Sequence, residues 1–149
     1  MQRRLLLHSQ SPEETQSWAA QWSRSLSPHS VVALVGGLGA GKTTLTKGLV
    51  EGLLPGERVS SPTFGYLHLY GPSFFRIAHF DCYRLREPDD FLMMGWDEIW
   101  DQVHLSVIEW PERCRDHLPE RTLFLELVRA GPHREIWQTS FFSDASSPF

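Results

Sequence analysis

The strongest constraint on how this chain can fold is the run Gly36-Gly37-Leu38-Gly39-Ala40-Gly41-Lys42-Thr43, set between the apolar segment Val31 to Val35 and a helical pattern. Four of these eight residues are glycine, so the backbone can turn there more tightly than a Cβ would allow. A strand that is apolar at every position needs cover on both faces, the condition of a parallel strand between helical layers. Strand, glycine turn and helix in that order, with Gly, four residues and then Gly-Lys-Thr, form the pattern of a phosphate-binding loop. In such a loop successive amides and a helix N-terminus surround an anion. Lys42 adds a point charge, and the Thr43 hydroxyl is a ligand for Mg²⁺.

The rest of the chain bounds what such a loop can serve. Its 149 residues suffice for one core, and no linker-like shift in composition divides them, so residues 1–142 are read as a single domain and 143–149 as a disordered tail. A net charge of -4 argues against unaided binding of RNA or DNA, which usually requires a basic face. Two cysteines, Cys82 and Cys114, are too few for a disulfide scaffold and fit a reduced, cytoplasmic setting. Cys114 and His117 have a metal-ligand spacing but are read as ordinary residues of a short helix, without zinc. The three leucines after Arg3-Arg4 fall short of the about 7 to 15 apolar residues of a secretion signal and read as a short strand. No stretch approaches the roughly 18 apolar residues that cross a membrane.

Punctuation along the chain predicts the elements. Ser11-Pro12-Glu13-Glu14 starts a helix running to about Leu26, with Ser11 as cap and Glu14 reaching back in a capping box. Val31 to Val35 is a central strand, and Lys42 to Leu54 a helix with Leu45, Leu49 and Leu53 along one face. Leu67 to Tyr70 and Phe74 to Asp81 form a hairpin across Gly71-Pro72, and Glu87 to Trp100 a helix interrupted near Gly95. Leu105 to Glu109 is a strand ending in an acid, and Leu123 to Arg129 pairs with Glu135 to Phe142 around Gly131-Pro132. The predicted architecture is α/β: a P-loop NTPase-like, three-layer α/β/α arrangement around a mixed, largely parallel central sheet.

Phosphate and metal in such a site call for an acid at the C-terminal end of a neighbouring strand, where open α/β sheets bind ligands. Asp81 and Glu109 both qualify. His79 shares Asp81's face of its strand and is read as a packed core histidine. Trp110 is read chiefly as packing beside Glu109, and Arg84 as a partner of phosphate, Asp81, Glu87 or Asp89.

Four blocks taken together resemble the TsaE (formerly YjeE) family, the bacterial ATPases of tRNA threonylcarbamoyladenosine (t6A) biosynthesis. They are Gly36 to Thr44; Ser61-Pro62-Thr63-Phe64; His79-Phe80-Asp81-Cys82-Tyr83-Arg84-Leu85 with Glu87-Pro88-Asp89-Asp90 and Met94-Gly95; and Ile108-Glu109-Trp110-Pro111-Glu112. The resemblance runs from about Val31 to Pro119 and implies a slow ATPase using ATP and Mg²⁺. Its activity would belong to a complex with two sugar-kinase-like proteins, of the TsaB and TsaD type, that transfer a threonylcarbamoyl group to tRNA. Contact with tRNA would come only through that complex, and no membrane is involved. Position by position, the resemblance places nucleotide on Gly37, Leu38, Gly39, Ala40, Gly41, Lys42, Thr43 and Thr44. Lys42 would bind the β/γ-phosphates, Thr43 the metal, and Thr63 would sense the γ-phosphate. Asp81 and Glu109 would share metal holding and water orientation, with the division between them open. Gly37 departs from the family, which usually carries an acid at that position.

Two other classes share the loop. A small-molecule P-loop kinase also needs an acid near its acceptor hydroxyl, and a non-hydrolysing nucleotide switch needs only two shapes. A guanine-nucleotide switch is disfavoured, because its base-recognition motif uses asparagine and the chain has none.

Overall fold

The structure, a computed structural model, describes residues 3–59 and 67–139. In chain order the strands are β1 (Arg3–Ser9), β2 (Ser30–Val35), β3 (Leu67–Tyr70), β4 (Ile77–Asp81), β5 (Leu105–Glu109), β6 (Leu123–Ala130) and β7 (His133–Thr139), and the α-helices are α1 (Pro12–Arg24), α2 (Lys42–Leu53) and α3 (Asp90–Met93). The strands form one sheet in the order β1-β7-β6-β2-β5-β4-β3. Its centre, β6-β2-β5-β4, is parallel, and both flanks are antiparallel. The sheet is therefore mixed around a parallel centre, as its sequence pattern predicts. The expected tail, 143–149, and the last strand's expected extension to Phe142 lie outside the described residues.

Local chemistry sets the helix starts. The Ser11 hydroxyl accepts from the Glu14 amide at 3.1 Å, with Pro12 opening the helix. The Glu14 carboxylate accepts from the Gln10 amide at 3.4 Å, so the expected box closes one residue before the cap. α1 then lies directly on α2. A Cβ on Gly48 would come within 2.5 Å of the Gln16 carbonyl oxygen, and one on Gly52 would collide with Ala20 and Ser23. The two glycines, one turn apart, let the helix backbones approach to contact.

The two faces of the sheet are covered differently. On one, Val32, Leu34, Ile77, Val107 and Leu125 pack against Ala19 of α1 and Leu45, Leu49 and Val50 of α2. On the other, Val31, Ala78, Phe80 and Ile108 meet Phe91, Trp96 and Trp100. The expected helix from Glu87 to Trp100 is here only one turn, α3, followed by 3-10 turns at Trp96–Glu98 and Trp100–Gln102. Gly95, at φ 72°, breaks the helix, and the three rings then close on Phe80 at centroid distances of 5.2 to 6.0 Å. Burial of aromatic area outweighs helical regularity here. The β3–β4 hairpin is also shorter than expected: the Phe75 amide donates to the Pro72 carbonyl at 3.0 Å, closing a turn and delaying β4 to Ile77.

Candidate phosphate-binding site

The chain leaves β2 at Val35 and enters α2 at Lys42 through the glycine loop. Gly39 and Gly41 take φ of 77° and 107°, the left-handed region that a side chain would strain. Gly41, the residue before α2, offers no side-chain cap, and the first intrahelical bond runs from the Leu45 amide to the Gly41 carbonyl at 2.9 Å. The amides of Lys42, Thr43 and Thr44 thus form an uncapped helix start, with the positive end of the helix dipole behind it.

Lys42 is almost wholly buried. Its ammonium donates to the Gly36 carbonyl at 2.8 Å and lies 3.6 Å from the centre of the Trp110 ring. Burial pulls its pKa below the ordinary value, and the negative charges of Glu109, Glu112 and Asp81 oppose that pull. Trp110 holds this position from a left-handed backbone, φ 57° and ψ 51°. That conformation costs on the order of 1–3 kcal/mol for a side-chain-bearing residue. Its neighbours are the Pro111–Arg113 turn and the Tyr83 ring, 4.9 Å away.

Asp81 and Glu109 stand side by side as register partners at the ends of β4 and β5. Asp81 shares the strand face of Ile77, and Glu109 that of Val107, so both face the side of the sheet that carries α2. Glu109 is buried, its Oε2 2.6 Å from Nε2 of His79, while Asp81 Oδ1 accepts from the Tyr83 amide at 2.9 Å. Burial, with the neighbouring charge of Glu109, raises the Asp81 carboxyl above its ordinary value against the pull of the Tyr83 amide. Two acids beside a buried lysine and an uncapped helix start can hold a polyanion together with a divalent cation.

A cleft of about 560 Å³ joins these groups: it is lined by Leu38 through Thr44, Asp81, Glu109, Trp110 and Arg84, and continues to Ser9, Ser11, Thr15 and Arg134. Every expected loop residue from Leu38 to Thr44 lines it. Gly37 instead borders a separate cavity of about 370 Å³ with Glu112 and Arg129. Thr63 lies outside the described residues. Arg84 reaches the cleft, while Asp89, one of its candidate partners, meets His117 at 3.1 Å. Cys114 contacts Cys82 at 3.5 Å between sulfurs. Sequence reasoning missed the far side of the cleft. Ser9 and Arg134 are register partners on β1 and β7, a pairing that brings together residues from opposite ends of the chain and that no local pattern encodes. His79 is a packed core histidine, as its position predicts, and its hydrogen-bond partner is Glu109.

Fold and site first define a class: a P-loop NTPase-like α/β protein in which a glycine-rich loop heads a helix beside paired strand-end carboxylates. The crystal structure of YdiB from Bacillus subtilis has this fold, with a TM-score of 0.75 and 30% sequence identity over 95% of this chain and 89% of that one. The family model described as threonylcarbamoyl adenosine biosynthesis protein TsaE matches residues 9–136. The tRNA threonylcarbamoyladenosine biosynthesis protein TsaE of Treponema pallidum is 41% identical over 129 residues, 86% of this chain and 95% of its own. The protein of that name in Bacillus subtilis is 37% identical over 130 residues, 87% of this chain and 81% of its own. The chain belongs to the TsaE family. Among the described residues, no helix is long and apolar enough to cross a membrane.

Proposed function

We propose that the chain binds ATP with Mg²⁺ and hydrolyses it slowly as the ATPase component of the cytoplasmic t6A machinery. It would act on a transferase of two sugar-kinase-like proteins, of the TsaB and TsaD type, and meet tRNA only through them. The observation that carries this reading is the convergence of Lys42, Asp81 and Glu109 on the uncapped first turn of α2. Loop amides and Lys42 would receive the phosphates. Thr43, Asp81 and Glu109 are the oxygen donors that suit Mg²⁺, and the metal would neutralise charge on the phosphate oxygens. Asp81 and Glu109 divide metal holding from water orientation, and Thr63 would sense the γ-phosphate. The nucleoside has room along the cleft toward Ser9 and Arg134.

Phosphoryl transfer to water depends mainly on positioning and charge stabilisation. Lys42→Ala should therefore weaken ATP binding roughly ten- to a hundredfold, and unchanged affinity in a titration overturns the site. Asp81→Ala and Glu109→Ala should keep ATP but lose hydrolysis in the assembled complex; full activity in both refutes their roles. Transfer of phosphate to a nucleoside or sugar acceptor would instead place the chain among small-molecule kinases.

A further inference from the structure

We infer that His79 is a positioning residue for Glu109, fixing which oxygen of that carboxylate faces the cleft. The inference rests on the ATPase reading for its consequence and on geometry for its content. His79 is fully buried on β4, and its Nε2 lies 2.6 Å from Glu109 Oε2 on β5. Its other ring nitrogen, Nδ1, is buried without a hydrogen-bond partner among the described residues. One proton, on Nε2, satisfies this pair, because a second on Nδ1 would leave a buried donor unpaired. His79 is thus placed to donate from Nε2 to the Glu109 carboxylate.

The need for such a donor follows from the register. Asp81 is the direct partner of Glu109 across the β4–β5 ladder, so two like charges meet at the strand ends. His79 sits two residues earlier on the same face of β4. Its hydrogen bond draws Oε2 back along the strand, away from Asp81, and leaves Oε1 as the oxygen that Glu109 offers to the cleft. Among the described residues Oε1 takes no hydrogen bond. Without the imidazole the carboxylate is free to rotate, and a misplaced acid loses rate more than it loses binding.

The test compares His79→Leu, which fills the space without a donor, with His79→Gln, whose side-chain amide restores one. In the assembled complex with ATP and Mg²⁺, His79→Leu should keep the ATP Kd within about twofold while kcat falls roughly ten- to a hundredfold. His79→Gln should recover most of that loss. Equal kcat in the two variants, or a loss confined to melting temperature, overturns the proposal. A long-range proton–nitrogen correlation spectrum of the imidazole in the intact chain supplies an arm independent of turnover. It should show a proton on Nε2 and a shift of that resonance in Glu109→Ala. An Nδ1–H tautomer, or a resonance indifferent to Glu109, overturns the proposal even if the variants do not fold. If the unmodified chain turns over no ATP, the ATPase reading fails separately, and the spectrum still decides whether His79 holds Glu109.

Discussion

Strand β4 shows in five residues how differently the two faces of the sheet are used. Ile77, His79 and Asp81 point toward α1 and α2, and Ala78 and Phe80 point toward the aromatic cover. The helical face is aliphatic and regular, and its C-terminal end holds the glycine loop, Lys42 and both carboxylates. The opposite face is closed by short turns whose rings meet around Phe80, and Cys82 and Cys114 lie buried there. The Cys82 thiol is pushed up by its hydrogen bond with Cys114 and by burial. Chemistry thus collects where a regular helix can aim its amides, and the irregular face supplies packing that holds the strands in register.

This contrast can be broken or sharpened by substitution. The largest effect should come from Phe91→Ala on the aromatic face, about 3–5 kcal/mol of unfolding free energy in a urea titration, because the fully buried Phe91 ring packs against Phe80, Trp96 and Trp100. On the helical face Gly48→Ala should cost about 1–3 kcal/mol by overpacking against Gln16 and Ala19. A cost as large as that of Phe91→Ala would show that the helical face has no slack. Ser11→Ala removes the α1 cap and should cost about 1 kcal/mol, again read by denaturation.

The smallest effect is one of pH. Burial holds the Glu112 carboxyl above its ordinary value of 4.5, with its backbone hydrogen bond, Lys42 and Arg113 opposing. The folded chain then binds that proton more tightly than the unfolded chain, so stability falls as pH rises from 4.5 through the raised value. Glu112→Gln should therefore gain about 1–3 °C in Tm over the unmodified chain across that window, measured without nucleotide. A difference that does not change with pH would remove Glu112 from the account.

Much of the site could be read from spacing. The glycine loop, the strand before it and the helix after it are contiguous, so local chemistry is sufficient to define them. Asp81 and Glu109 were visible as acids at strand ends, but their adjacency depends on β4 and β5 being neighbours. The segment Glu87 to Trp100 reads as a helix interrupted near Gly95, and the preference of the Phe91, Trp96 and Trp100 rings for Phe80 is a tertiary matter. Arg134 was invisible as a cleft residue, since it stands on β7 opposite Ser9 of β1, a strand from the other end of the chain.

The sequence by itself determined where the glycine loop bends, which helix begins there and which family the four blocks resemble, because these depend on residues adjacent along the chain. Only the tertiary structure decided that His79 holds Glu109, that Trp110 bends back over Lys42, and that Ser9 and Arg134 extend the cleft. Neighbours across a sheet are set by strand order and register, and those follow from the packing of the whole domain.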